Sequence, residues 1–150
     1  MTTATLAERA FWDSSGIVLL CANQRSTAAA RRIRAHAGSM AIWWGTPVEV
    51  QSALQRLRRE QLLSPAELST GLRRLSAMSE AAVEVAPSES VRTLAASVLQ
   101  RYELRAADAL QLAAALVLCR EYPRARTFVC FDAKLAGAAT AAGFTVLPST

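Results

Sequence analysis

Along this chain, short apolar runs repeatedly hand over to helix-forming stretches, and that handover restricts the fold more than any single motif does. Residues 10–13, 40–43, 82–85, 127–131 and 144–147 read as strands, the fourth of them as a buried one. Helices are expected from about residue 14, over 26–37, as a hairpin of two helices across 47–78, after Pro87-Ser88, over 105–121, and over 133–142 with Gly143 closing the last. The helix after Pro87-Ser88 carries an apolar stripe of Val91, Leu94, Ala95, Val98, Leu99 and Tyr102. Strands alternating with helices imply an α/β fold whose mostly parallel sheet is covered on both faces. At 150 residues, with no repeat or low-complexity linker, a single domain over 1–150 is expected.

Two segments share one helix-start signature. Thr46-Pro47-Val48-Glu49 and Ser64-Pro65-Ala66-Glu67 each place a hydroxyl residue, a proline and a glutamate in the order of a capping box. Capping therefore explains both glutamates equally well. What separates them is the approach: Glu49 follows a strand, which delivers its helix start to the carboxyl edge of the sheet, whereas Glu67 follows another helix.

The chain has three aspartates, and each stands at a strand-to-helix junction or in the first turn of a helix. Asp13 and Asp132 end apolar runs, and Asp108 opens Asp-Ala-Leu-Gln-Leu-Ala-Ala-Ala. Singly, each serves as a helix cap or complements a helix dipole. Jointly, they and Glu49 fall where a parallel sheet gathers strand ends and helix starts along one edge. Crowded carboxylates repel one another, and a hard divalent cation such as Mg²⁺ or Mn²⁺ relieves that repulsion.

The remaining features narrow the class. A net charge of +5 rests almost wholly on arginine, with Lys134 the only lysine, which suits a phosphate-bearing ligand such as RNA. An Ala- and Arg-rich composition also follows from GC-rich coding, so charge adds little by itself. Cys21, Cys119 and Cys130 lack metal-ligand or disulfide spacing and read as core residues of a cytoplasmic protein. His36 stands alone and reads as surface. No apolar run is long enough to span a bilayer, and no secretory signal is expected at the start. Trp43 reads as core at a strand end; contact with RNA or a partner is the minority reading of Trp44. A phosphoacceptor receiver is disfavoured because no acidic pair follows the first strand, and a dinucleotide-binding domain because no Gly-rich turn does.

The ordered motifs Asp13-Ser14-Ser15, Pro47-Val48-Glu49-Val50, Ala106-Ala107-Asp108-Ala109-Leu110-Gln111-Leu112-Ala113 and Phe131-Asp132-Ala133-Lys134-Leu135, the last followed by Ala141-Ala142-Gly143-Phe144-Thr145-Val146, resemble those of PIN-domain ribonucleases. The chain is most similar to the VapC-type toxins of bacterial toxin–antitoxin pairs. That resemblance implies an α/β/α sandwich and an endoribonuclease dependent on Mg²⁺ or Mn²⁺. It also implies a homodimer held in check by a cognate antitoxin, with no membrane attachment. By motif, Asp13, Glu49 and Asp108 match the core metal-binding acids and Asp132 the fourth, while Ser15 matches the hydroxyl that steadies the first. Cys130 stands where that family often has threonine or serine. A non-catalytic PIN-like module that binds RNA or protein is the alternative reading.

Overall fold

Consecutive side chains of a strand point to opposite faces of a sheet, so an unbroken apolar run feeds two cores at once. The computed structural model, which describes residues 9–149, shows this division. Strands β1 (Arg9–Trp12), β2 (Ser39–Trp43), β3 (Val83–Val85), β4 (Thr127–Val129) and β5 (Thr145–Leu147) form one five-stranded sheet in the order β3-β2-β1-β4-β5. Every neighbouring pair is parallel. Phe11, Ala41, Trp43, Val85 and Phe128 enter one core, while Ala10, Trp12, Met40, Ile42 and Val129 enter the other.

Helices α1 (Ser14–Cys21), α2 (Thr27–His36), α3 (Thr46–Arg59) and α4 (Pro65–Ala81) cover the second face. Helices α5 (Glu89–Arg101), α6 (Ala106–Leu118) and α7 (Ala133–Ala142) cover the first. The result is a PIN-like α/β/α sandwich. Helix α6 is buried along Ala109, Gln111, Leu112, Ala113, Ala114 and Ala115, because alanines let its backbone lie close to the sheet and to α5. Among the described residues no helix is long and apolar enough to cross a membrane. Residues 1–8, where no secretory signal is expected, lie outside the described residues.

Several boundaries differ from the sequence reading for local reasons. Strand β4 stops at Val129, not 131, because the Phe131 N–H turns away to Ser15 Oγ at 2.9 Å. Helix α6 stops at Leu118, since Arg120 and Glu121 take left-handed backbone angles and the Glu121 N–H closes onto the Leu116 carbonyl. Leu99, expected in the apolar stripe of α5, is 44% exposed. Gly143 ends α7 in the left-handed conformation, as glycine permits.

The paired capping boxes diverge. Ser64 and Glu67 form the expected reciprocal box. Thr46 and Glu49 do not, because α3 starts one residue early with Gly45 as its N-cap. A Cβ on Gly45 would lie 2.6 Å from Trp43 Nε1, so the tight turn between Trp44 and the helix admits only glycine there. The shift carries Glu49 past the third helical position and frees its carboxylate for other partners.

Leu54 is fully buried on α3, whereas Leu62, in the following turn, is 65% exposed. Leu54→Ala is expected to destabilise the fold by about 2–5 kcal/mol, and Leu62→Ala by under about 0.5 kcal/mol. Denaturant titration of the two variants measures the difference; equal losses would mean that α3 does not pack as described.

Candidate active site

Chain order and sheet order together create one crevice. From β1 the chain moves outward through β2 and β3, then returns to the other side of β1 as β4. Ligand sites in parallel sheets form at such a switch, beyond the carboxyl ends of the two strands. Asp13 follows β1 directly, and its N–H joins the ladder to β4 through the Val129 carbonyl at 2.9 Å. Asp132 lies just beyond β4 and begins α7.

Asp13 is 4% exposed and caps α1. Its Oδ2 accepts hydrogen bonds from the Ser15 N–H at 3.1 Å and from Ser15 Oγ at 2.6 Å. Cys130 lies 3.7 Å from the same oxygen and 3.4 Å from the Asp132 carbonyl. Burial, reinforced by Asp13, pushes the Cys130 thiol up to about 12. In the absence of a metal it therefore stays protonated near neutral pH. A weak S–H donor thus occupies this position, while Ser15 supplies the strong bond.

Glu49 reaches the site from α3. Its Oε2 accepts hydrogen bonds from Ser14 Oγ and, at 2.9 Å, from Gln111 Nε2. Asp108 sits half-buried in the first turn of α6. Burial pushes its carboxyl above the ordinary value, Asp13 and Asp132 push it further, and Arg105 opposes them. Asp132 is exposed, and its Oδ1 caps α7 by accepting from the Leu135 N–H at 3.0 Å. Asp108 and Asp132 border an open cleft of about 520 Å³ whose rim includes Arg105 and Lys134. The acids form an electrostatically coupled series in which Asp13 feels Glu49, and Asp108 feels Asp13 and Asp132.

Ser14, Thr46 and Gln111 also belong to this network, and none was singled out from the sequence. The available signal was an amide three residues after Asp108, on the same helix face, inside an otherwise apolar run.

The oxygen-only character of the acids suits a hard divalent cation. Among the described residues the only ion pair is Arg92–Glu89 on the surface, so no side-chain cation bridges these acids. The same residues contain no group of three or more His, Cys, Asp or Glu arranged to hold a metal. Mg²⁺ usually takes one or two carboxylates and retains several waters, so an open series of acids fits it better than a closed cage would.

Neither a protein-family model nor a curated protein matches the chain. Solved structures do. The chain is similar to a toxin–antitoxin complex from Klebsiella pneumoniae at TM-score 0.59 and 22% identity, over 85% of this chain and 91% of that one. It is similar to VapC20 of Mycobacterium tuberculosis, a sarcin–ricin loop cleaving toxin, at TM-score 0.62 and 18% identity, over 90% and 95%. FitAcB from Neisseria gonorrhoeae matches at TM-score 0.61 and 16% identity, over 90% and 96%. The chain has the PIN-like fold of VapC-type toxins.

In this PIN-like fold the buried acids oppose stability. Burial raises the Asp13 carboxyl above its ordinary 3.8, with Glu49 adding to the shift and the Ser15 hydrogen bonds opposing it. A raised carboxyl binds its proton more tightly folded than unfolded. Between the ordinary and the raised value the folded chain holds more protons, and stability falls as pH rises through that window. Asp13→Asn keeps a capping side chain and removes the titration. In chelator, the melting temperature of wild type relative to Asp13→Asn is expected to fall from acid to neutral pH. A difference independent of pH would show that Asp13 carries no such strain.

Proposed function

We propose that this chain is a metal-dependent endoribonuclease and the toxin of a bacterial toxin–antitoxin pair, folded as one domain over 1–150. The observation that supports the reading is the placement of Asp13 and Asp132 at the ends of β1 and β4 in a PIN-like fold, with Glu49 close enough to raise the Asp13 carboxyl, Asp13 and Asp132 close enough to raise that of Asp108, and no side-chain cation among the described residues bridging them. One of the similar proteins is a sarcin–ricin loop cleaving toxin and another is a toxin–antitoxin complex, which favours RNA as substrate and a protein inhibitor as partner.

Asp13 and Asp108 would hold Mg²⁺ or Mn²⁺, with Asp132 completing the set. The bound ion supplies charge compensation for the scissile phosphate and lowers the pKa of an attacking water. Ser15 holds Asp13 by Oδ2, and in this reading the other oxygen, Oδ1, is the one left to the ion. Glu49 orients the attacking water or accepts its proton. Arg105 and Lys134, on the rim of the cleft, are placed to receive RNA phosphates.

A groove of about 470 Å³ runs between α3 and α4, lined by Pro47, Val48, Gln51, Leu72 and Leu75. Val48 on its rim is 74% exposed. An apolar helical segment of the antitoxin would cover it, with an arginine of that segment neutralising the acids in place of metal. We assign the active toxin to the cytoplasm, as a homodimer.

Glu49→Gln and Glu67→Gln test the reading, because glutamine preserves capping at Glu67 but removes the charge at Glu49. Glu67→Gln is expected to arrest bacterial growth and cut RNA as wild type does. Glu49→Gln should be tolerated and cut about 100-fold more slowly or worse. Equal behaviour of the two would return Glu49 to a structural role, and harmless expression of folded wild type would favour a non-catalytic module.

A further inference from the structure

Gln111 is fully buried in the apolar run of α6, yet its amide is engaged on one side only. Its Nε2 lies 2.8 Å from Ser14 Oγ, 2.9 Å from Thr46 Oγ1 and 2.9 Å from Glu49 Oε2. The Ser14 hydroxyl hydrogen is already committed to Glu49 Oε2, so Ser14 Oγ accepts from the amide. Three acceptors thus face two N–H groups. Reversing the amide would set its oxygen against the Glu49 carboxylate, acceptor against acceptor, and so the carboxylate itself fixes the orientation.

The other end of the amide has no such compensation. Gln111 Oε1 is buried and has no hydrogen-bond partner among the described residues. An unpaired buried carbonyl is costly, and methionine would fill the same volume without that cost. A glutamine kept for packing alone is therefore a poor choice at this position. What the amide does gain is a grip on Glu49, whose helix enters from the opposite face of the sheet.

We propose that Gln111 is a positioning residue: together with Ser14 it clamps Glu49 Oε2, leaving Oε1 as the oxygen presented to a cation or its water. No hydrogen bond among the described residues falls on that Oε1. Thr46, on the same amide, fixes the start of α3 to α6, so the clamp sets the height of the helix as well as the direction of the carboxylate. This role rests on the nuclease reading above. Partners of this kind, which orient a metal-facing carboxylate from behind, typically cost 10- to 100-fold in metal affinity or activity when removed.

The test compares wild type, Gln111→Met, Glu49→Gln and the double variant by Mn²⁺ titration, by RNA cleavage in Mg²⁺, and by melting in chelator. Gln111→Met is expected to bind Mn²⁺ about 10- to 100-fold more weakly. Its kcat should fall with little change in KM for RNA, and a single cooperative melt in chelator shows that it is folded. In the Glu49→Gln background the same substitution should alter Mn²⁺ affinity by less than about twofold, because its partner's charge is already absent. Gln111→Asn, one methylene shorter, keeps an amide in the core but withdraws it from Glu49, and serves if the methionine variant fails to fold; it should lose Mn²⁺ affinity to the same degree. Wild-type affinity in a folded Gln111 variant, or a full additional loss in the double variant, would overturn the role of Gln111 while leaving the nuclease reading intact. A wild type that neither binds Mn²⁺ nor cleaves RNA would overturn both.

Discussion

One hydroxyl ties the carboxyl edge together. Ser15 Oγ donates to the buried Asp13 Oδ2 at 2.6 Å and accepts from the Phe131 N–H at 2.9 Å. The first bond fixes the carboxylate at the end of β1. The second draws the chain out of β4 and starts it towards Asp132 and α7. Because β1 and β4 are neighbours only through the reversal of chain order, this bond spans the switch point of the sheet. A side chain in the first turn of α1 therefore sets the relation between two acids more than a hundred residues apart.

The same edge is where stability is given up. Burial outweighs the Ser15 hydrogen bonds at Asp13, and like charges add to burial at Asp108. A fold selected for stability alone would place apolar or paired groups here, as it does along the Ala-rich length of α6. Asp13 and Asp132 are helix caps at the same time, each accepting from a backbone N–H of the helix it begins. Capping and crowding thus coexist in one side chain: the cap recovers part of what the repulsion costs.

Much of this was legible because the determining forces are local. The five strands, the helices between them, the Ser64–Glu67 box and the Gly143 stop each depend on residues within one or two turns and are all present, although β4 and α6 end early and Leu99 leaves the stripe of α5. Trp43 and Trp44 divide into core and surface, the latter 56% exposed, as adjacent strand-end residues must. The Thr46–Glu49 box was misread because α3 starts one residue early, at a Gly45 N-cap packed against the Trp43 indole, and no residue pattern encodes that side-chain packing. Gln111 was passed over for a related reason. Its meaning lies in Ser14, Thr46 and Glu49, which are 97, 65 and 62 residues away, and no periodicity encodes such a meeting.

The central claim is that these carboxylates act on RNA through a divalent ion, and the most direct measurement is incubation of the purified chain with total cellular RNA. Mg²⁺, Mn²⁺ and chelator are compared, with Asp13→Asn alongside. The account predicts discrete cleavage in either ion, none in chelator, and none by a folded Asp13→Asn. Cleavage that persists undiminished in chelator, or in Asp13→Asn, would contradict it.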